Sequence, residues 1–164
     1  MRNIYRLTAL LFLLCFATAC TPEKEPEKPE IIVPDLEAVK AEIQEIENNF
    51  AAAFNTRNAD AITYYAEDAI SYFAGQEPIV GIDAILDHIA EELEEFPEGA
   101  SISFETKEVY ITDSGENVAE IGAHTLVDST GAVIQSGHYF SFFAKRDGKY
   151  VCTRDMANSV GIQE

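Results

Sequence analysis

An α+β domain, with helices first and an antiparallel sheet after them, is the fold class that the sequence predicts. Apolar residues recur at three- and four-residue steps through 36–54 and again through 82–96. Four stretches of the second half are rich in Ile, Val, Thr, Tyr and Phe and are separated by short polar turns. Helices followed by strands, rather than alternating with them, exclude a doubly wound parallel fold. A hydrophobic fraction of 47% over 164 residues suffices for one buried core and excludes wholesale disorder.

The first helix starts after Pro34 and Asp35, both good starting residues. Leu36, Val39, Ile43, Ile46, Phe50 and Phe54 form its apolar stripe, with Glu37, Lys40, Glu42, Glu45 and Glu47 assigned to the other face. A short second helix is expected over about 60–66, opening at Asp60 and burying Ile62 and Tyr65. The third, about 82–95, stacks Ile82, Ile85, Ile89, Leu93 and Phe96 against an acidic far side. Strands are expected over roughly 101–112, 116–128, 132–146 and 149–158. Asp113-Ser114-Gly115, Asp128-Ser129-Thr130-Gly131 and Arg146-Asp147-Gly148 are the tight turns between them, which makes an antiparallel meander. The stretch from Tyr139 to Phe143 is apolar on both faces, so one face needs a cover besides the helices. A second copy of the chain, pairing through the sheet as a homodimer, supplies one such cover, and a pocket for an apolar small molecule is the alternative.

Residues 1–19 have the parts of an export signal: Arg2 and Arg6, an apolar run from Leu7 to Phe16, then small residues. Ala17-Thr18-Ala19-Cys20 resembles the bacterial lipobox, which implies a diacylated Cys20 as the first mature residue and a lipid anchor in the cell envelope. Thr21 in place of an inner-membrane-retaining aspartate implies the outer membrane where a cell has two. Residues 20–34 hold four of the six prolines among alternating Glu and Lys, a composition suited to an extended tether. The domain proper is 35–164. The chain carries 11 basic against 29 acidic residues, a net charge of −18, which repels phosphate backbones and argues against any nucleic-acid partner. With Cys15 and Cys20 in the leader, Cys152 is left without a disulfide partner.

The ordered part resembles the SnoaL-like and ketosteroid-isomerase-like superfamily, whose members share the nuclear transport factor 2 fold. The resemblance rests on Phe50, Phe54 and Asn55, on Asn58-Ala59-Asp60, and on Tyr65-Ala66-Glu67-Asp68-Ala69 as the entry to a first strand. It continues in Gly81-Ile82-Asp83-Ala84-Ile85 and in a closing hairpin from Gly137-His138-Tyr139 through Asp147-Gly148-Lys149-Tyr150 to Asp155 and Asn158-Ser159. It implies a curved antiparallel sheet wrapped around the N-terminal helices as a cystatin-like cone, with an apolar pocket in the open mouth. Laid on this chain, the isomerase base falls on or near Phe73, the buried strand acid near Phe140 and the helix tyrosine near Ala52. Apolar side chains cannot transfer protons, so ketosteroid isomerisation is not expected. No cofactor is implied.

The remaining polar candidates for a pocket are few. His124 and His138 fall on successive strands and are expected to face each other across the hairpin ending at Gly131. His124 with Asp155 suggests the acid-base pair of a dehydratase or hydrolase, with Tyr72 as an orienting hydroxyl. Tyr72, Phe73, His124, His138, Phe140, Asp155 and Asn158 are the expected ligand-binding residues. A bulge near Asp155 would swap the face to which it points. The histidine spacing matches no metal motif, so no metal is expected. Cys152 reads as a packed thiol, His88 as a solvated helix flank, and the acidic run from Glu91 to Glu98 as a solvated face.

Overall fold

The structure is a computed structural model that describes residues 34–112 and 114–160. The leader, Cys20 and nearly all of the tether lie outside the described residues.

Helix α1 spans Leu36–Asn55, and its first turn is capped by Asp35, whose Oδ1 accepts from the amides of Glu37 (3.0 Å) and Ala38 (3.4 Å). Its buried line runs Val39, Ile43, Glu47, Ala51 and Phe54, one residue per turn. A 3-10 turn at Ala59–Ala61 follows in place of the expected second helix. Strand β1, Tyr65–Tyr72, claims the rest of that segment, because Cys152 N–H reaches back to the Tyr64 carbonyl at 2.8 Å. A two-turn amphipathic pattern is too short to hold a helix against such pairing. Strand β2 is Ile79–Val80, and α2 covers Ile82–Glu95 as its periodicity predicts, burying Ile85, Ile89 and Leu93. Strands β3 (Ser101–Ile111), β4 (Asn117–Val127), β5 (Val133–Arg146) and β6 (Lys149–Val160) form the expected meander.

The sheet is curved, unclosed and mixed, in the order β2-β1-β6-β5-β4-β3. The sequence pattern predicts an antiparallel sheet throughout, and this holds for every pair but one: β1 lies parallel to β6. Turn signals report neighbours joined by hairpins, whereas β1 and β6 meet only after the chain has passed through α2 and the other strands.

Helix α1 also protects the edge of the sheet. Gln44 gives its amide to the Phe104 carbonyl (3.0 Å) and accepts from Thr106 N–H (2.8 Å). Asn55 does the same at Ile102, at 2.9 and 2.7 Å. Two side-chain amides thus satisfy four peptide groups of β3 that would otherwise be open to another strand. The core lies between helices and sheet, where Ile43, Phe54, Ile85, Ile89, Val118, Phe143 and Tyr150 pack in one cluster.

Candidate functional site

Between the helices and the concave side of the sheet lies a cavity of about 860 Å³, within the range of small-molecule sites. Aromatic rings make much of its wall. Phe50 stands at its centre, with ring centroids 4.8 Å from Tyr64, 6.2 Å from Tyr65 and 5.4 Å from Phe104. Polar groups enter from several elements: Glu47 from α1, Ser71 from β1, His124 from β4, Tyr139 and Ser141 from β5, and Asp155 from β6.

Two glycines make room for two of these side chains. Gly122 on β4 is in register with Tyr139 on β5, and a Cβ at Gly122 would come within 3.0 Å of three atoms of the Tyr139 ring and hydroxyl. Gly137 on β5 is in register with His124 on β4, and a Cβ there would collide with the Asn158 carbonyl of β6 and with the imidazole, Cε1 at 2.5 Å and Nε2 at 2.9 Å. Each large ring thus packs against the bare Cα of the glycine opposite it.

A bulge places Asp155. The β5–β6 register slips where Phe142 opposes Arg154 but Phe143 opposes Cys152, leaving Thr153 as the extra residue. Strict alternation from the buried Cys152 would send Asp155 out of the cavity. With the extra residue it turns inward, beside Ser71, and its Oδ2 accepts from the Tyr65 hydroxyl at 3.0 Å.

A buried carboxyl pair that the sequence analysis assigns to no site has one member, Glu47, in the cavity lining and the other, Glu120, outside it. Glu47 is 1% exposed and Glu120 0%. Tyr64 donates to Glu47 Oε1 at 2.8 Å and lies 2.8 Å from the Ser141 hydroxyl, while Tyr139 donates to Glu120 Oε1 at 3.1 Å. Burial, then the charge of Glu120, pushes the Glu47 carboxyl well above the usual carboxylate range. Burial also raises Glu120, though hydrogen bonds from Thr106, Glu47 and Tyr139 oppose the shift. Two such acids hold a shared proton more readily than two charges. Burial likewise raises Asp155, against the neighbouring hydroxyls of Ser71 and Tyr65. His124 moves the other way, lowered by burial and then by His138, and so favours the neutral imidazole. The cavity therefore brings together a neutral base and carboxyls inclined to keep their protons, a set able to give and take protons.

The model of a SnoaL-like domain matches residues 48–153, the greater part of the chain. The chain belongs to the SnoaL-like domain family. No functionally curated protein matches the sequence significantly. Solved structures with the same fold include a domain of unknown function with a cystatin-like fold from Nostoc punctiforme (11% identity, 74% of this chain and 76% of that one, TM-score 0.64). Another is a candidate scytalone dehydratase from Novosphingobium aromaticivorans (15% identity, 76% and 85% covered, TM-score 0.61). A ketosteroid isomerase-like protein from Erwinia carotovora atroseptica is also similar (22% identity, 74% and 95% covered, TM-score 0.55).

The SnoaL-like domain places the sequence candidates on two sides of its sheet. Tyr72, Phe73, His124 and Asp155 line the cavity, with the Phe73 ring 4.3 Å from that of His88. His138, Phe140 and Asn158 do not. His124 and His138 do not face each other: they are fourteen positions apart on strands whose register pairs His124 with Gly137 and His138 with Ala123. Neighbouring residues of a strand point to opposite faces, so His138 is exposed while His124 is 7% exposed. Phe140 is 37% exposed on that same outer face, between the inward Tyr139 and Ser141. The Asn158 side chain accepts from the His138 backbone amide at 3.0 Å, a contact within the sheet. Helix position Ala52 is exposed, whereas Glu47 supplies the polar group that α1 turns inward. Glu47 was legible in principle, since it continues the line from Val39 through Ile43 at four-residue spacing.

Proposed function

We propose that this SnoaL-like domain binds a small molecule in its cavity and is held at a bacterial envelope membrane by lipid on Cys20. The observation that carries the reading is the cavity itself, about 860 Å³ with aromatic walls and a few convergent polar side chains. The anchor and the outer-membrane destination rest on the leader sequence, and the proline-rich segment 20–34 serves as spacer. Ketosteroid isomerisation is not part of the proposal, because a phenyl ring stands where the resemblance expects the base. The outer face of the sheet supports a homodimer. Ile121 and Phe140 lie in register on neighbouring strands of that face and are each 37% exposed.

A second reading, proton-transfer chemistry of the dehydratase kind, is favoured by one observation: His124 and Asp155 line the same cavity. In it His124, lowered by burial, accepts a proton from substrate, and Asp155, raised by burial, is the carboxyl placed to pass one to the departing group.

Native mass spectrometry of the full-length protein from its producing host tests the proposal. A reproducible small-molecule adduct on a dimer is the expected result. Bare protein under conditions that retain known weak ligands of other proteins contradicts the binding reading, and a monomer contradicts the paired sheets.

A further inference from the structure

The cavity has a charge pattern that its size and apolar walls do not convey. No lysine or arginine is among its lining residues, whereas Glu47, Glu92, Glu95 and Asp155 all contribute. The chain as a whole carries −18, so the field reaching the mouth has the same sign. The aromatic faces of Phe50 and its neighbours add a negative quadrupole, which attracts cations. One carboxylate oxygen of the lining, Asp155 Oδ1, is buried without any hydrogen-bond partner, while Oδ2 of the same carboxyl accepts from Tyr65. An unpartnered buried oxygen of this kind is costly unless a ligand donates to it.

Each class of ligand meets this lining differently. An anion finds donors in His88, His124, Gln76 and Gln135 but stands beside Glu47, Glu92, Glu95 and Asp155 with no lysine or arginine to offset them. An uncharged apolar molecule fills the aromatic part and leaves Asp155 Oδ1 without a donor. A bare metal ion lacks a cage, since among the described residues no group of three or more His, Cys, Asp or Glu is placed to hold one. A protonated amine on an apolar or aromatic body satisfies both halves of the cavity.

We propose that the cavity takes an organic cation, its ammonium beside Asp155 and Glu47 and its apolar body against the wall built around Phe50. This names the ligand class for the binding reading above and rests on it. Proton release follows. In the empty cavity burial favours the protonated carboxyls; an ammonium favours the ionised ones and displaces a proton on arrival. The groups that face Glu47 are Glu120 from β4, Tyr64 from the entry to β1, Tyr139 and Ser141 from β5, and Cys152 and Asp155 from β6. Tyr65 and Ser71 face Asp155. None of them is a cation, so nothing within the protein takes the place of the ammonium.

Titration calorimetry of the full-length protein with three probes that share one phenyl body decides the matter: phenethylammonium, 2-phenylethanol and phenylacetate. The ammonium is expected to bind at least about tenfold more tightly than the alcohol, with phenylacetate weakest. Its heat is expected to depend on the ionisation enthalpy of the buffer, as proton release requires. Asp155→Asn is expected to lower ammonium affinity about tenfold and to erase most of the ammonium's advantage over the alcohol. Equal or tighter binding of the alcohol or the acid overturns the inference and leaves the cavity reading standing. Failure of all three probes also overturns it, and the adduct experiment then judges the cavity separately.

Discussion

Replacing Gly122 by alanine tests the account of how the cavity is shaped. The added methyl falls within 3.0 Å of three atoms of Tyr139, closer than non-bonded carbons approach. To restore ordinary contact at about 3.5–4.0 Å the ring must retreat by roughly 1 Å or more. It is not free to do so, because its hydroxyl holds Glu120 at 3.1 Å and its edge packs on Phe104 at 5.6 Å between centroids. Overpacking of this kind costs about 1–3 kcal/mol. Releasing the bond to a buried carboxyl adds about 1–3 kcal/mol. The expected loss is therefore about 2–6 kcal/mol, a large part of the roughly 5–15 kcal/mol by which a domain is stable. Urea unfolding of the wild type, Gly122→Ala, Tyr139→Leu and the double variant measures it. The double variant is expected to be less destabilised than the two single losses sum to, because the smaller side chain vacates the space that the methyl needs. A Gly122→Ala protein within about 0.5 kcal/mol of wild type refutes the reasoning, since that is the range of an inconsequential surface change.

Two further outcomes follow from the buried titratable groups. Glu47, Glu120 and Asp155 all bind protons more tightly in the folded protein than in the unfolded chain. Their contribution to stability is fully present below the ordinary carboxyl pKa of about 4 and is lost as pH rises through the raised values. The melting temperature should therefore fall between pH 5 and 8 (approximate limits), and Glu47→Gln should flatten that fall; a melting temperature that rises with pH contradicts the assignment. His124 and Asp128 are shifted in the opposite sense: His124, lowered by burial, offsets part of the fall below about pH 6.5, while Asp128, held low by Thr130, titrates below this window. Burial also raises the Cys152 thiol well above its ordinary range, so the folded protein should keep it unalkylated by iodoacetamide while the urea-unfolded chain reacts. Peptide mapping after timed alkylation reads this directly, and rapid labelling of the native protein contradicts the packing of that strand.

What was legible in the sequence and what was not divides along physical lines. Helix α2 and the meander are each specified by local pattern: a four-turn apolar stripe, and tight turns between β-rich runs. The parallel contact of β1 with β6 has no local signature, because its partners lie far apart in the chain and no turn joins them. The buried carboxyl pair was hidden for another reason. Glu47 and Glu120 occupy inward positions of a helix stripe and a strand alternation, yet charge suggests exposure, so the pattern was overruled by residue type. His138 failed conversely: the hairpin brings it near His124, but register decides the face, and register was not available from the turn alone. The bulge at Thr153 turned Asp155 inward, a one-residue slip that composition does not reveal.

The pairing of Tyr65 with Cys152 also bears on the order of folding. Strand β1 emerges from synthesis early, but its partner follows roughly eighty residues later, after α2 and the whole meander. Until then β1 has only the two-residue β2 beside it, and the aromatic residues at its start have no strand to cover them. The domain thus has a late closing step, in which β6 joins the two halves of the sheet at once. A chain built in this way cannot complete its sheet until its last strand has been made.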